Sequence, residues 1–271
     1  TAGEMRGFLR QILASRLSRR YMRLNLFLAR QVLKHARYLD LMTSDPSIDL
    51  AVKADKRREG PKANTVVIHT KEEVSAILEA ARRLSARMKT WKRFHAIVHT
   101  MIHTGLRMSE LRGLPVDALD LPGGTLRVYQ RADAYGQIGP PKSAYGYRVI
   151  HLPAGLVSIL SEWTGDRKTG LVFPTDSGRP INHENIANRV WRKVQVEADV
   201  TILNPHAARH FFASMLIDSG AKLKALQETM GHHDPMFTMK VYGHMFRDPE
   251  DVALRKEMAE RMANILDLDE D

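Results

Sequence analysis

The pattern of apolar and polar positions predicts a basic amphipathic helix near the start of the chain. Apolar residues recur at close to helical spacing over residues 21–41, and basic residues lie between them. The apolar positions are Leu24, Phe27, Leu28, Val32, Leu33, Tyr38 and Leu39, and the basic ones are Arg23, Arg30, Lys34 and Arg37. The pair Asp45-Pro46 is expected to close this stretch, because proline does not continue a helix.

A polar segment predicts the boundary between two domains. Residues 55–64 have the sequence DKRREGPKAN, whose charges and Gly-Pro pair suit an exposed linker. We therefore expect a helical N-terminal domain with its linker over residues 1–64 and a larger domain over residues 65–271. Because the first residue is Thr1 rather than Met and a helical pattern begins almost at once, we expect the N-terminal domain to be truncated.

Beyond the linker, the pattern predicts helices joined by tight turns and one small sheet. Thr70 and Glu73 fit a capping box, in which each side chain bonds the backbone of the other residue, before a helix that reaches about residue 86. Apolar positions near residues 126–128 and 149–152 flank a Gly/Pro-rich stretch and predict antiparallel strands. Further helices are predicted over residues 91–103, from residue 108, and over residues 186–196, 206–219, 222–230 and 251–266. The expected fold class is mainly α with a small antiparallel β-sheet (α+β).

Composition and charge point to a polyanionic partner. The 271 residues carry a formal net charge of +10, and the pI is about 9.9. Each phosphate neutralised by Lys or Arg releases condensed counterions, so such a chain favours nucleic acid, although a basic surface that only keeps a protein soluble is the plain alternative. No apolar run is long enough to span a bilayer and no signal peptide is evident. The absence of cysteine excludes disulfides and Cys-ligated zinc.

Four separate segments concentrate Arg, His, Lys and Tyr beside glycine turns. They are TGLRMSELRGL at residues 104–114, PPKSAYGYRVIHL at residues 140–152, HAARHFFAS at residues 206–214 and MGHHDPMFTMKVYGH at residues 230–244. Taken singly each motif is weak, but together and in this order they resemble the motifs of the tyrosine recombinase (phage integrase) family. The resemblance covers residues 70–244. It implies a helical core-binding domain followed by a catalytic domain that cuts double-stranded DNA through a covalent 3'-phosphotyrosine and rejoins it to another 5'-hydroxyl.

Two arginines suit the phosphate at the centre of such a reaction. A phosphodiester under attack gathers negative charge on its non-bridging oxygens, and fixed cations stabilise that charge. The planar guanidinium of arginine bonds two phosphate oxygens at once and stays charged at any working pH. Arg107, after a Thr-Gly-Leu turn, and Arg209, three residues after a histidine, fit this role, and the resemblance assigns both as phosphate-clamping arginines.

Tyr242 is the nucleophile that the resemblance implies. With a pKa of about 10, roughly one tyrosine in a thousand is phenolate at neutral pH, so a base or local positive charge must assist. His206 and His232 titrate near neutrality, and each could accept the proton or bond the phosphoryl oxygens. By resemblance, His206 is the base and His232 supports the transition state.

The resemblance also assigns a general acid and two supporting residues. Lys142 matches the lysine on the family's sheet hairpin that protonates the leaving 5'-oxygen, although its sequence context differs and Arg131 and Arg148 lie nearby. Glu110, one helical turn after the first arginine, can orient a cation or a histidine. His244 is a common neighbour of the nucleophile in the family and is expected to support it.

Three alternatives remain open at this level. His95, His99 and His103 recur every four residues and could form a metal site, although such a stripe is more often a partly buried helix face. Residues 222–244 could form a helix-turn-helix that binds DNA without catalysis. A type IB topoisomerase would share the phosphotyrosine chemistry without exchanging strands, and the short helical N-terminal segment favours the recombinase.

The resemblance further implies how the protein assembles. It implies self-association into a tetramer on synapsed DNA, accessory DNA-bending proteins, and a C-terminal segment, here residues 251–266, that packs on a neighbouring protomer. No metal or nucleotide cofactor is implied, because the phosphotyrosine bond stores the energy for religation. We expect a cytoplasmic, DNA-associated protein of bacterial or phage origin that integrates or excises a mobile element and has no membrane partner.

Overall fold

The computed structural model of the chain describes residues 1–52 and 66–246, and the chain divides into two compact units, Thr1–Ala63 and Asn64–Asp271. The predicted linker over residues 55–64 and the predicted helix over residues 251–266 lie outside the described residues. Within the described part, no helix is long and apolar enough to cross a lipid bilayer.

The smaller unit contains two helices, α1 at Ala2–Ala14 and α2 at Arg19–Tyr38. α2 confirms the predicted basic helix, but it ends before Asp45-Pro46 because Asp40 adopts a left-handed conformation with φ of 55°. Arg30 then donates to the carbonyls of Ser47 and Leu50 and holds the following loop. The small core of this unit consists of Ile12, Met22, Leu26 and Val52.

The larger unit is mainly helical, as predicted. The capping box at Thr70 and Glu73 is present, with reciprocal hydrogen bonds of 2.8 and 3.2 Å. The helices are α3 at Lys71–Arg87, α4 at Trp91–Thr104, α5 at Met108–Arg112, α6 at Ala154–Thr164, α7 at His183–Asn185, α8 at Arg192–Glu197, α9 at His206–Asp218, α10 at Leu223–Met230 and α11 at Pro235–Tyr242. A π-helical turn at Ile186–Trp191 joins α7 to α8, so the helix predicted over residues 186–196 is present with a wider turn at its start.

Two helices, α6 and α11, are present although they were not predicted from the sequence. Leu156 and Leu160 of α6 recur at a spacing of four and are buried, so the helical signal was present in the chain. α11 begins with Asp234, whose side chain accepts from the Met236 amide, followed by Pro235 in the first turn. Proline in the first turn is a typical helix start, and here it lies inside the histidine-rich segment over residues 230–244.

The predicted small antiparallel sheet is confirmed, in two parts. The first has strand order β1-β2-β5, with β1 at Leu119–Asp120, β2 at Thr125–Val128 and β5 at Arg148–His151. Leu126 pairs with Ile150, and both side chains are buried. The second part pairs β3 at Arg131–Ala132 with β4 at Ile138–Gly139.

Two buried clusters hold the larger unit together. The main cluster joins α3, α4, α6 and the π-helical turn to the sheet and includes Ile77, Ile97, Phe173 and Trp191. A smaller cluster joins α9, α10 and α11 and consists of Ala213, Leu226, Met230, Val241 and Tyr242. The tyrosine predicted as the nucleophile is therefore part of a core.

Candidate active site

Arg107 lies where a tight turn joins two helices. Gly105 caps the C-terminal end of α4 with a left-handed backbone (φ 57°) that reverses the chain, and Arg107 is then the N-cap residue of α5. Glu110 accepts from the Arg107 backbone amide at 2.8 Å and from its Nη1 at 2.8 Å. The Arg107 side chain keeps 36% of its surface exposed, so a ligand can reach it.

A second arginine, Arg148, meets the same carboxylate from the sheet. Its Nη2 donates to Glu110 Oε2 at 2.8 Å and its Nη1 to Oε1 at 3.1 Å, and the two side chains are 5% and 4% exposed. Burial opposes the charge on Glu110, but the hydrogen bonds and charge of Arg148, and then the charge of Arg107, lower its pKa to about 2. Glu110 is therefore ionised and orients two guanidinium groups. The sequence indicated that it orients one cation or histidine, and Arg148 is the additional partner.

Arg209 is the most buried cation of the site. It lies on α9 with 3% of its surface exposed, and it donates to the carbonyls of Gly105 and Met230. Burial, and then the neighbouring positive charge of Arg107, lowers the pKa of Arg209 to about 9, so its guanidinium still carries its charge at neutral pH.

The C-terminal end of α10 collects all three guanidinium groups. Helix C-termini present carbonyls without intrahelical partners and carry a partial negative charge, so they attract cations. The three arginines bond three consecutive carbonyls there: Arg148 Nε bonds Thr229 at 2.8 Å, Arg209 bonds Met230, and Arg107 Nη2 bonds Gly231 at 2.6 Å. The helix end thus fixes the positions of the cations relative to one another.

Gly231 and His232 follow directly on this helix end. Gly231 closes α10 in a left-handed conformation (φ 63°), which glycine adopts without steric cost. His232 is buried, its Nδ1 lies 2.8 Å from Thr238 Oγ1, and its ring is stacked on that of Tyr242 with centroids 6.3 Å apart. Burial, and then the charge of Arg209, lowers the pKa of His232 to about 3.

Tyr242 is the last residue of α11 and is 1% exposed. Its hydroxyl lies 2.6 Å from Nδ1 of His210, a residue of α9 that was not predicted to belong to the site. Burial raises the pKa of Tyr242 to about 12, although the charge of Arg209 opposes that shift. In this conformation the phenol is neutral and experiences the positive charge of Arg209.

His206, the predicted base, lies one helical turn before His210. The two rings meet edge to face with centroids 4.6 Å apart. Partial burial, and then the charges of Arg209 and Arg107, lowers the pKa of His206, so it belongs to the same electrostatic cluster. A signal for His210 was present in the sequence, because residues four apart share a helix face and it directly follows Arg209.

Lys142 is placed away from these contacts. It lies in the loop between β4 and β5, is exposed, and lines a cleft of about 470 Å³ with Ser109, Asp133 and His183. Among the described residues, no hydrogen bond or ion pair joins its side chain to the arginine and histidine cluster. His183 also lines a second cleft, of about 280 Å³, with His206 and Arg209. The side chain of the other predicted supporting residue, His244, lies outside the described part of the structure.

The histidine stripe on α4 does not form a metal site in the described part of the chain. His95, His99 and His103 are half-buried and their rings contact in sequence, with centroid separations of 4.5 and 5.5 Å. Residues 1–52 and 66–246 contain no group of three or more His, Cys, Asp or Glu side chains placed to hold a metal ion. The partly buried helix face accounts for the spacing.

The chain is similar to known proteins over most of its larger unit. Residues 68–248 match the phage integrase family. The tyrosine recombinase XerC of Lactobacillus delbrueckii subsp. bulgaricus is 28% identical over 205 residues, which are 76% of this chain and 65% of that protein. XerD of Halalkalibacterium halodurans is 31% identical over 210 residues, which are 76% of this chain and 64% of that protein. The chain therefore spans slightly less than two thirds of the length of these relatives.

Solved structures show the same fold. The integrase of the Tn1549 transposon, in complex with a circular intermediate DNA, superposes with a TM-score of 0.69 at 21% identity and covers 97% of this chain and 85% of that chain. The XerH site-specific recombinase bound to its difH substrate gives a TM-score of 0.59 at 18% identity over 84% of this chain and 62% of that chain.

Proposed function

The chain belongs to the phage integrase family, and we propose that it is a site-specific tyrosine recombinase that cuts and rejoins double-stranded DNA through a 3'-phosphotyrosine on Tyr242. The observation that carries this proposal is the uncompensated positive charge of the arginine cluster, in which Arg209 acts electrostatically on Tyr242. Three guanidinium groups and a single ionised carboxylate form one cluster, which leaves two positive charges. A phosphodiester under attack approaches two negative charges, so the cluster matches the transition state.

Arg107 and Arg209 are proposed to clamp the scissile phosphate. Each already uses N–H groups on backbone carbonyls, which fixes its plane before the substrate arrives. Such preorganised donors stabilise developing charge without reorganising during the reaction. Glu110 would hold Arg107, and His206 and His232 would bond the phosphoryl oxygens as neutral imidazoles.

The attack itself requires a rearrangement near Tyr242. The side chain is 1% exposed, so a DNA phosphate can contact Oη only after the groups that cover it move. Lys142 is proposed to protonate the leaving 5'-oxygen, and its position in an exposed loop allows it to enter the site with the DNA. His244 is proposed to support the nucleophile.

We further propose that the protein acts on a mobile element and assembles as a tetramer on two DNA duplexes. The likeness of fold to a transposon integrase bound to circular intermediate DNA supports this role. The exposed basic face of α2, with Arg23 and Lys34, suits contact with the phosphate backbone.

Covalent trapping on randomised DNA tests the proposal whatever the target sequence is. The purified chain would be incubated with a pool of nicked suicide duplexes of randomised sequence, and adducts that survive denaturation would be isolated and sequenced. We expect adducts with a common sequence for the wild type and for Tyr135→Phe, which alters an exposed tyrosine, and none for Tyr242→Phe.

Two results would overturn the proposal. One is an adduct that persists in Tyr242→Phe, and the other is a complete lack of adducts across the pool. If α10 and α11 form only a DNA-binding helix-turn-helix, the protein would form no adducts but would still select DNA by binding. A topoisomerase would form adducts but would exchange no strands between two duplexes.

A further inference from the structure

We propose that His210 is the general base that removes the proton from Tyr242, an inference that rests on the proposed phosphotyrosine reaction. His210 Nδ1 lies 2.6 Å from the Tyr242 hydroxyl oxygen, and the two rings are tilted by 56° with centroids 5.7 Å apart. A base must lie within hydrogen-bond reach of the proton that it takes, and this contact meets that requirement before any DNA is bound.

The other two histidines have different geometry. His206 packs edge-on against the His210 ring, and the charges that act on it are those of Arg209 and Arg107, which suits an interaction with the phosphate. His232 directs its Nδ1 to Thr238 Oγ1, and its ring lies nearly parallel to that of Tyr242, at 8°. His210 presents its Nδ1 directly to the Tyr242 oxygen.

The surroundings of His210 keep its imidazole unprotonated in the resting state. Burial, and then His206 and Arg209, lowers the pKa of His210 to about 4, so the imidazole is neutral at neutral pH. With its own proton on Nε2, the ring accepts from the phenol through Nδ1. The resting phenol keeps its proton, because burial raises the pKa of Tyr242 to about 12.

We expect bound DNA to favour proton transfer from Tyr242 to His210. A phosphate anion beside His210 favours the imidazolium, and the two arginines stabilise the charge that develops on the phosphoryl oxygens. The proton therefore moves as the bond to phosphorus forms, rather than beforehand.

Cleavage by Tyr242 needs no reactant other than the DNA and the side chains of the protein. The Tyr242 Oη–P bond forms while the P–O5' bond breaks, the phenolic proton passes to His210 Nδ1, and the 5'-oxygen takes a proton from Lys142 in the proposed scheme. Religation runs the same transfers in reverse, so His210 returns its proton to Tyr242.

The test uses His210→Asn on the adduct-forming duplex recovered from the randomised pool. Asparagine keeps a polar group that can bond the Tyr242 hydroxyl but does not accept its proton. We expect unchanged DNA binding and adduct formation slower by roughly 10²–10⁴-fold in a single turnover, the usual contribution of a general base. His210→Gln provides a second variant, and His151→Asn, at an exposed histidine of β5, is the matched control and should react at the wild-type rate.

The pH profile separates a base from a packing contact. Without its base, Tyr242 must lose its proton to hydroxide, so the rate of His210→Asn should rise about tenfold per pH unit and its defect should shrink as the pH is raised. A defect that stays constant with pH, a rate equal to that of the wild type, or a faster reaction would each overturn the assignment of His210 and leave the recombinase proposal intact. A wild-type chain that forms no adduct would overturn both.

Discussion

Glu110 and Arg148 form a buried ion pair between α5 and β5, with Nη2 and Oε2 2.8 Å apart. The same carboxylate holds Arg107, so one acidic residue connects the proposed phosphate-clamping arginine to the sheet. Arg148 also bonds the end of α10, and this links the sheet to the helix that precedes His232. The pair therefore positions the site without contacting the proposed nucleophile.

Removing one partner of this pair should destabilise the fold. We expect Arg148→Met to lower the free energy of unfolding by about 3 kcal/mol, since Glu110 then keeps a buried charge with fewer partners. Urea denaturation measures the change. Arg82→Met, which breaks an exposed pair with Glu79, is the control and should leave the denaturation midpoint unchanged. Equal midpoints for both variants would show that the buried pair contributes nothing.

The pH dependence of stability should report the ionisation of Glu110. Its pKa is about 2 in the folded chain and 4.5 without the fold, so the depressed value stabilises the folded state above about pH 5 and is lost as the pH falls toward 2. The contribution is roughly 3 kcal/mol above pH 5 and less than half of that at about pH 3. Urea titrations of the wild type and Glu110→Gln across this range measure it. A difference between the two proteins that does not change with pH would contradict the prediction.

Substitution of Gly231 by alanine should destabilise the protein more than the strain of its left-handed backbone alone. A Cβ there would lie 2.9 Å from the Tyr145 carbonyl oxygen and 3.0 Å from Arg148 Nη1, in addition to the strain of φ 63°. We expect Gly231→Ala to cost about 2–3 kcal/mol of stability and to slow adduct formation. Gly220→Ala, with φ of 86° and open space around its Cβ, isolates the backbone cost of about 1 kcal/mol. Similar losses for the two variants in a thermal or urea melt would argue against close packing at Gly231.

The role of Lys142 can be tested through the leaving group. If this lysine donates the proton, Lys142→Ala should slow cleavage of normal DNA by roughly 10²–10⁴-fold. A substrate with sulfur in place of the bridging 5'-oxygen needs no proton on its leaving group, so it should restore the rate. Lys168→Ala, an exposed lysine in the loop after α6, should cleave both substrates normally. A variant that remains slow on the sulfur substrate would assign Lys142 to another task, such as DNA binding.

Local patterns in the sequence determined much of the fold. The capping box at Thr70 and Glu73, the apolar spacing in α3 and α4, and the alternating positions of β2 and β5 depend on residues close together in the chain, so propensity and periodicity identify them. α6 and α11 carry local signals too, namely the buried Leu156 and Leu160 at a spacing of four and the Asp-Pro start of α11.

The sequence by itself also determined which chemical groups are available to the candidate site and their order along the chain, because motifs record side chains. Only the tertiary structure decided which of them meet. Arg107 reaches Gly231 across 124 residues and Arg148 reaches Thr229 across 81, and such contacts depend on how helices and sheet pack. Packing also placed His210, rather than His206, against the Tyr242 hydroxyl, buried that hydroxyl, and left Lys142 in an exposed loop.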